Sequence, residues 1–391
     1  MITLDRLRGT LRLTAPLALV AVLAAGCGSA SRPANTPSSP AAPPLSLTTA
    51  VTGPGATWAA VPMGAASGAD QFWQLFMLPA GGSRWSLHTP PDIATNGALV
   101  LAGQDGQDGQ GIIVGERPSL YLTFSAITTT GDGGRTWAAL PPVSGLADVP
   151  DALAAASGGR LIALSGRQDV SVTRAAGSWA PLTTRQALAA TSAARACALT
   201  GLTAAAYTPA GSPMLAGTCG RAGTVGIFAY AGTWHQAAPS LPAAVAGQPV
   251  RVLRLSQAGR GDAALLQAGT GPSASLIGAW TTDGGQRWRL SSPFGLGGAH
   301  AVSASFGSNG AAAVVLSGHR GEILAGSGAS WRALPPLPPG RTVTLALPAA
   351  GTSDALAADG SLLTVWQLRP GSAAWARTQA IKVPIQYGSS S

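Results

Sequence analysis

The residues of this chain that could do chemistry are mostly arginines. Its 391 residues include 23 arginines, one lysine, 15 acidic residues and three cysteines, and the formal net charge is +9. No HExxH, nucleophile-elbow, phosphate-loop or CxxC spacing occurs, and the four histidines lie far apart in the sequence. The sequence therefore predicts neither a metal site nor a cofactor. The arginines are scattered, with no basic stripe interleaved with aromatic residues, so nucleic-acid binding is not predicted either.

Four short glycine-containing loops each carry one arginine and form the candidate ligand-facing site. The loops are residues 116–119, 166–169, 220–223 and 318–321. The candidate side chains in them are Arg117, Arg167, Arg221 and Arg320, together with Glu116, Asp169 and His319. Converging guanidinium groups could hold a carboxylate or phosphate through paired hydrogen bonds. The alternative is that arginine is the usual charged residue of this chain and is solvated in these loops.

The N-terminal segment has the composition of an export signal. Three arginines precede residues 14–26, an uncharged apolar stretch too short to span a bilayer as a helix. It ends in Leu-Ala-Ala-Gly-Cys, which resembles the lipobox of bacterial lipoproteins, with alanine where leucine is commoner. The resemblance implies that residues 1–26 are a cleaved signal peptide and that a lipid on Cys27 anchors the chain to the outer face of the cell membrane. The alternative is an ordinary signal peptide followed by an incidental cysteine.

Lipidation of Cys27 would leave Cys197 and Cys219 as a pair in an oxidising compartment, where disulfides persist. These two cysteines flank a predicted hairpin, residues 202–207 and 214–218, at equal distances from its turn. We therefore expect a disulfide between them. Two buried free thiols are the alternative.

The remaining chain divides into a linker and one repetitive domain. Residues 27–54 are rich in serine, alanine, proline and threonine, which predicts a disordered tether after the lipidated cysteine. Residues 55–391 contain a recurring turn followed by tryptophan, at Trp85, Trp137, Trp179, Trp234, Trp288, Trp331 and Trp375. Spacings of 42 to 55 residues suit four-stranded propeller blades. The sequence therefore predicts an all-β fold, a β-propeller of seven four-stranded blades.

Two of these turns match a more specific pattern. Residues 130–137 (TGDGGRTW) and 281–288 (TTDGGQRW) resemble the Asp-box of BNR-repeat, sialidase-type propellers, Ser/Thr-x-Asp-x-Gly-x-Thr-Trp, with Arg287 replacing the second threonine. An aspartate in such a turn can accept backbone N–H groups, and the glycines supply positive φ. The resemblance implies a structural role, away from the ligand face, for Thr130, Asp132, Gly134, Thr136, Trp137, Thr281, Asp283, Gly285 and Trp288.

Three further segments carry expectations. The first blade lacks inner strands, and both residues 57–61 and the tail, residues 380–386, are candidates to complete it. Residues 186–199 are rich in alanine and predict a short helix between blades. Residues 104–111 (QDGQDGQG) predict a flexible turn, because their spacing does not fully fit a calcium loop.

The residue inventory favours binding over catalysis. The resemblance to sialidases implies a tyrosine nucleophile paired with a glutamate, an aspartate and three arginines, but this chain has only two glutamates and four tyrosines. Residues 116–118 only faintly echo the family's Arg-Ile-Pro motif. We predict a monomeric, non-catalytic extracytoplasmic binding or scaffolding propeller, anchored to the membrane by its lipid, with a glycan or an envelope protein as ligand. The alternative is a divergent, sialidase-like glycoside hydrolase.

Overall fold

The computed structural model describes residues 50–64, 71–91, 98–104, 107–117, 127–141, 150–173, 178–258, 261–307, 310–324, 330–348 and 351–384. The predicted signal peptide, Cys27 and most of the predicted linker lie outside these residues. The first strand begins at Ala50, within the segment predicted to be linker. No helix in the described ranges has both the length and the apolar character needed to cross a bilayer.

In the described residues, strands follow one another in chain order and pair antiparallel in groups of four, which we call blades 1 to 7. One parallel bridge, Val51 opposite Phe306, also joins the inner strands of blades 1 and 6. Blades 1 to 3 consist of β1 (Ala50–Thr52), β2 (Ala56–Gly64), β3 (Gln71–Pro79) and β4 (Ser86–Leu87); β5 (Ala98–Gln104), β6 (Gly111–Arg117), β7 (Ile127–Thr130) and β8 (Ala138–Leu140); and β9 (Pro150–Ala156), β10 (Arg160–Ser165), β11 (Asp169–Thr173) and β12 (Trp179–Thr184).

Blades 4 to 7 repeat this order, and only blade 5 has an extra short strand, β21. They consist of β13 (Leu199–Tyr207), β14 (Pro213–Cys219), β15 (Gly226–Tyr230) and β16 (Trp234–Gln236); β17 (Val250–Ala258), β18 (Gly261–Ala268), β19 (Ser275–Thr281), β20 (Arg289–Leu290) and β21 (Phe294–Gly295); β22 (Ala301–Phe306), β23 (Ala312–Leu316), β24 (Arg320–Leu324) and β25 (Trp331–Ala333); and β26 (Thr342–Ala346), β27 (Ser353–Asp359), β28 (Leu362–Leu368) and β29 (Ala376–Lys382).

The apolar core is divided among the contacts between neighbouring blades. Strand residues alternate between the two faces of each blade, so every blade contributes side chains to two clusters. Seven clusters result, one between each pair of successive blades and one between blade 7 and blade 1. Each cluster includes one of the seven repeated tryptophans, whose large rings fill the space between sheets. The predicted seven-bladed β-propeller is confirmed.

Among the described residues, indole N–H groups link five of the blades to the blade before them, and in one case, Trp331, the acceptor is the hydroxyl of Ser291. Trp179, Trp288 and Trp375 donate to the carbonyls of Pro141, Ala237 and Pro335, which directly follow or lie near the end of the outer strand of the preceding blade. At the seam between blades 7 and 1 the acceptor is instead a carboxylate, because the Trp85 indole donates to Asp354 Oδ2. This seam therefore differs chemically from the others.

The way the first blade is completed corrects one expectation. Residues 57–61 lie in β2 as expected, but the tail does not complete blade 1, because β29 pairs with β28 as the outer strand of blade 7. The inner position of blade 1 is already taken by β1, which pairs with β2 from Ala50 opposite Ala59 to Thr52 opposite Thr57. No strand is exchanged between the first and last blades.

The alanine-rich segment between blades 3 and 4 forms two short helices where one was expected. They are α1 (Arg185–Ala190) and α2 (Ser192–Arg195). Thr191 separates them, because its backbone is extended, at φ −71° and ψ 155°, and its hydroxyl accepts the Ala194 N–H as an N-cap. The same residue thus ends one helix and starts the next.

Candidate functional site

A cavity of about 480 Å³ lies where the inner strands of blades 1 to 5 face one another. Its wall is formed by residues 51–54, 98–104, 151–157, 202–207 and 251–257, with Arg167 reaching in from a loop. The volume falls within the range of small-molecule sites in proteins. Since the inner strands of blades 1 to 5 form the wall, the packing of these five blades against one another holds the cavity open.

One of the predicted arginines, Arg167, is fixed at this cavity. It lies in the turn between β10 and β11 with φ at +59°, a conformation that non-glycine residues rarely adopt. Its backbone N–H donates to Asp151 Oδ2 at 2.7 Å, and Asp151 projects from an irregularity in the register of β9 with β10. The carboxylate thereby stabilises the turn that carries the arginine.

The Arg167 side chain crosses from blade 3 to blade 4. Its Nε donates to the carbonyl of Leu202 at 3.5 Å, while the Leu202 N–H donates to the Arg167 carbonyl at 3.1 Å. The guanidinium lies over Gly201, where an added Cβ would lie 3.6 Å from Nη2. Hydrogen bonds to both its backbone and its side chain therefore hold Arg167 in place.

Arg251 and Arg254 on β17 also line the cavity, and neither was singled out from the sequence. In a regular strand, residues three apart point to opposite faces. A register shift between Val252 and Arg254 inserts Leu253 as an extra residue, so that Arg251 lies opposite Gln267 and Arg254 opposite Leu265. Because these partners are two residues apart, both arginines lie on the same face.

Burial affects the charge of these side chains. It lowers the pKa of Arg254 to about 10, and it lowers the pKa of Arg251, with repulsion by Arg167 as a second cause. With a pKa of about 10, the most buried guanidinium, that of Arg254, is still positively charged at neutral pH. Among the described lining residues Asp151 is the one carboxylate, so the wall is net positive.

Tyr207 lies at the end of β13 and also lines the cavity. Its side chain is buried, and burial raises the pKa of its hydroxyl to about 12, although the nearby Arg160 lowers it. The Arg160 guanidinium carbon lies 5.6 Å from the centre of the Tyr207 ring. The raised pKa keeps the hydroxyl protonated at neutral pH.

The other predicted ligand-facing residues are not brought together at the cavity. Asp169, Arg221 and His319 do not line it, and Arg320 instead donates to the carbonyl of Leu296 between blades 5 and 6. Glu116 is buried within β6, and the Arg117 side chain lies outside the described residues. The four arginine loops belong to separate blades, so only Arg167 of the described set reaches the cavity.

The two turns whose sequences resemble the Asp-box lie between the third and fourth strands of blades 2 and 5. Asp132 Oδ1 accepts the Thr130 hydroxyl and the N–H groups of Arg135 and Thr136, while Oδ2 accepts the Thr136 hydroxyl at 2.7 Å. These hydrogen bonds, led by those of Thr136, hold the pKa of Asp132 well below its usual range.

The second turn repeats this arrangement with fewer contacts. Asp283 Oδ1 accepts the Thr281 hydroxyl and the N–H of Arg287. Gly134 and Gly285 both have positive φ. Neither aspartate lines the cavity.

Cys197 and Cys219 form a disulfide with their Cα atoms 4.9 Å apart. It joins the segment after α2 to the end of β14, within blade 4. The expected pairing is confirmed, and it favours an oxidising compartment. Among the described residues, no three of histidine, cysteine, aspartate and glutamate are grouped so that they could hold a metal ion.

No family model matches the sequence, and no curated protein matches it. Solved structures do. YCF48 from Cyanidioschyzon merolae is 14% identical with a TM-score of 0.52, over 83% of this chain and 96% of that chain. A putative 6-phosphogluconolactonase from Bacteroides uniformis is 16% identical with a TM-score of 0.51, over the same shares.

The periplasmic gluconolactonase PpgL of Pseudomonas aeruginosa is 16% identical over 83% of this chain and 95% of that chain, with a TM-score of 0.49. The chain is similar to β-propellers. Identities this low show the fold alone, because one propeller scaffold can host unrelated functions.

Proposed function

We propose that this chain is a non-catalytic, extracytoplasmic binding propeller that takes its ligand into the cavity between the inner strands. The observation that carries the proposal is the composition of the cavity wall. Arg167, Arg251 and Arg254 face the cavity, and Asp151 is the one carboxylate among the described lining residues. A glycosidase of the usual kind needs two carboxyl groups flanking the scissile bond. Asp151 already accepts the N–H of Arg167.

The second candidate is the sialidase-like hydrolase, favoured by the grouping of arginines near Tyr207. A tyrosine nucleophile needs a group that removes its proton. Tyr207 contacts Arg160 instead, and burial raises its pKa to about 12. These two facts support binding over hydrolysis.

Purified full-length protein should be incubated with a panel of chromogenic glycosides and applied to a glycan array. We expect binding without turnover. Turnover that is lost in Tyr207→Phe or Glu116→Ala, and kept in Tyr230→Phe, would establish the hydrolase. Tyr230 serves as the control because it lies on β15 against Trp234, away from the cavity. Cross-linking on intact cells separates a glycan ligand from an envelope protein.

The location at the membrane belongs to the same proposal. The disulfide in blade 4 supports an oxidising compartment, and the lipobox-like sequence supports a lipid on Cys27. Mass spectrometry of the N-terminal peptide should detect a diacylglyceryl-modified Cys27, and Cys27→Ser should move the protein from the membrane fraction to the soluble fraction. Unchanged fractionation of this variant would refute the anchor.

A further inference from the structure

We infer that the cavity binds an oxyanion: Arg251 and Arg254, together with Arg167, hold the carboxylate or phosphate group of a ligand whose apolar part contacts the aliphatic wall. The inference rests on the proposed binding function and specifies its ligand class. Three kinds of observation support it: arginines on β17 without a counter-charge, the geometry of that strand, and the residues that form the cavity wall.

The first observation is that positive charge on β17 lacks a counter-charge. Within the described residues, neither Arg251 nor Arg254 makes a hydrogen bond or an ion pair with another side chain, and Arg254 Nε is buried without an acceptor. A buried guanidinium without a partner is costly, and buried polar groups in proteins are normally satisfied. An oxyanion would supply the missing acceptors.

The second observation is that Arg167 and Arg251 lie near enough to repel each other. Arg167 is a cause of the lowered pKa of Arg251, although the two residues belong to blades 3 and 5. Like charges placed together raise the free energy of the empty site, and a bound anion relieves this repulsion. The cavity wall therefore stabilises a negative group more than a neutral one.

The third observation is the extra residue in β17. The register shift at Leu253 places Arg251 and Arg254 on one face of the strand, where a regular strand would separate them. Bulges re-aim side chains and occur frequently beside functional sites. The partners of Arg251 and Arg254 on β18 are two residues apart, about 7 Å along the strand, so both guanidinium groups can reach one ligand.

Part of the remaining wall is aliphatic, beside polar residues such as Gln104 and Thr203. Val51, Val100, Ala152 and Ala155 line the cavity and are partly exposed. A fully hydrated inorganic ion would leave this surface uncovered, whereas a short organic acid would cover it and gain from its burial. The ligand class is thus an organic monoanion or dianion of modest size.

Isothermal titration calorimetry on the full-length protein tests the inference with three probes that share one apolar chain. Hexanoate and hexyl phosphate carry the two anionic groups, and hexan-1-ol is their neutral analogue. We expect at least one anion to bind about tenfold or more tightly than the alcohol, with binding weakened by salt. The tighter of the two anions identifies the carboxylate or the phosphate as the preferred group.

Substitutions then locate the charge. Arg251→Gln and Arg254→Gln should each weaken binding of the preferred anion by about tenfold to a hundredfold, while Arg254→Lys, which keeps the charge, should recover part of the loss. Arg332→Gln is the matched control, because Arg332 is exposed on the outer strand β25. Circular dichroism establishes that each variant is folded. If Arg254→Gln does not fold, Arg251→Gln carries the test.

The inference is overturned if no probe binds, if hexan-1-ol binds as tightly as both anions, or if Arg251→Gln binds like Arg332→Gln. None of these results affects the proposed absence of catalysis, which fails only if the glycoside assays show turnover. The two failures are therefore distinguishable.

Discussion

The indole Nε1 of Trp85 donates a hydrogen bond of 2.9 Å to Oδ2 of Asp354, across 269 residues of chain. Both side chains are almost fully buried, at 2% and 3% exposure. Gln379 strengthens the same contact, since its amide accepts the N–H of Trp85 and donates to the Trp85 carbonyl. Blades 1 and 7 are therefore joined by side chains and by one backbone bridge, from the Gly64 N–H to the Gly360 carbonyl, instead of by a shared strand.

Trp85→Phe should destabilise the protein more than the same substitution at another blade contact. It removes the indole donor of the buried Asp354 carboxylate and leaves only the longer hydrogen bond from Gln367, at a cost of about 1 to 3 kcal/mol in the free energy of unfolding. Trp375→Phe is the control, because its indole donates to a neutral carbonyl, that of Pro335. Urea unfolding of both variants measures the difference.

The Trp85→Phe defect should also depend on pH. Burial raises the pKa of Asp354, and the Trp85 hydrogen bond lowers it, so loss of the indole raises it further. A raised pKa in the folded state means that stability is lost as pH increases through the carboxyl range. The destabilisation should therefore be larger at pH 8 than at pH 4. A pH-independent difference from Trp375→Phe would contradict this explanation.

Asp262→Asn should stabilise the protein above neutral pH. Asp262 is fully buried in β18, neither carboxylate oxygen has a hydrogen-bond partner among the described residues, and burial raises its pKa from 3.8 to about 7. The unfolded chain releases this proton first, so wild-type stability should fall as pH rises from about 4 to about 7.

The expected gain of Asp262→Asn at pH 8 is on the order of 4 kcal/mol, since one unit of pKa corresponds to about 1.4 kcal/mol, and it should vanish near pH 4. Thermal melting across this pH range measures it. Asp169→Asn is the control, because Asp169 is exposed. A gain of equal size at both pH values would show that the carboxyl charge is not responsible.

Gly285→Ala should cost more than a similar substitution at Gly232. Both glycines have positive φ, 91° and 80°, so backbone strain is comparable. A Cβ at Gly285 would lie 2.7 Å from the Cβ of Ala237 in blade 4, whereas a Cβ at Gly232 meets nothing within 4 Å. We expect an excess loss of about 1 kcal/mol or more in unfolding free energy. Equal losses of unfolding free energy in the two variants would mean that blades 4 and 5 can move apart at this contact without an energetic penalty.

Removal of the disulfide should weaken blade 4. The two cysteines are 22 residues apart, and closing a loop of this size contributes about 3 kcal/mol in the chain-entropy estimate. Cys197→Ala with Cys219→Ala, in a Cys27→Ser background, should lower the urea midpoint by a corresponding amount. The Cys27→Ser parent should show no free thiol in Ellman's assay before reduction. A reactive thiol in that parent would contradict the pairing.

The blades could be predicted because their signals are local. The turn before each tryptophan needs only neighbouring glycines and polar residues, and the outer strands Trp179–Thr184, Trp234–Gln236 and Trp331–Ala333 begin at three of these tryptophans. The disulfide followed from hairpin symmetry around one turn. These features depend on residues close together in the chain.

The cavity could not be predicted in the same way. The positions of Arg251 and Arg254 depend on an extra residue at Leu253, and alternation along a regular strand places them on opposite faces. Arg320 was expected to converge with Arg167, but its loop lies against blade 5 and the carbonyl of Leu296. Which loops reach a common centre is decided by packing between blades, and no local pattern encodes that packing.

Because each blade is one contiguous stretch of the chain, the blades can assemble in the order in which they are synthesised. Six of the seven apolar clusters join blades that are neighbours in the chain, so each can form as soon as the next 40 to 55 residues emerge. The seventh, around Trp85, needs β27 to β29, which are made last. Until then the face of blade 1 that packs against blade 7 in the complete ring has no partner. A nascent chain stalled before Asp354 would expose that face, which makes this stage the one most in need of a chaperone.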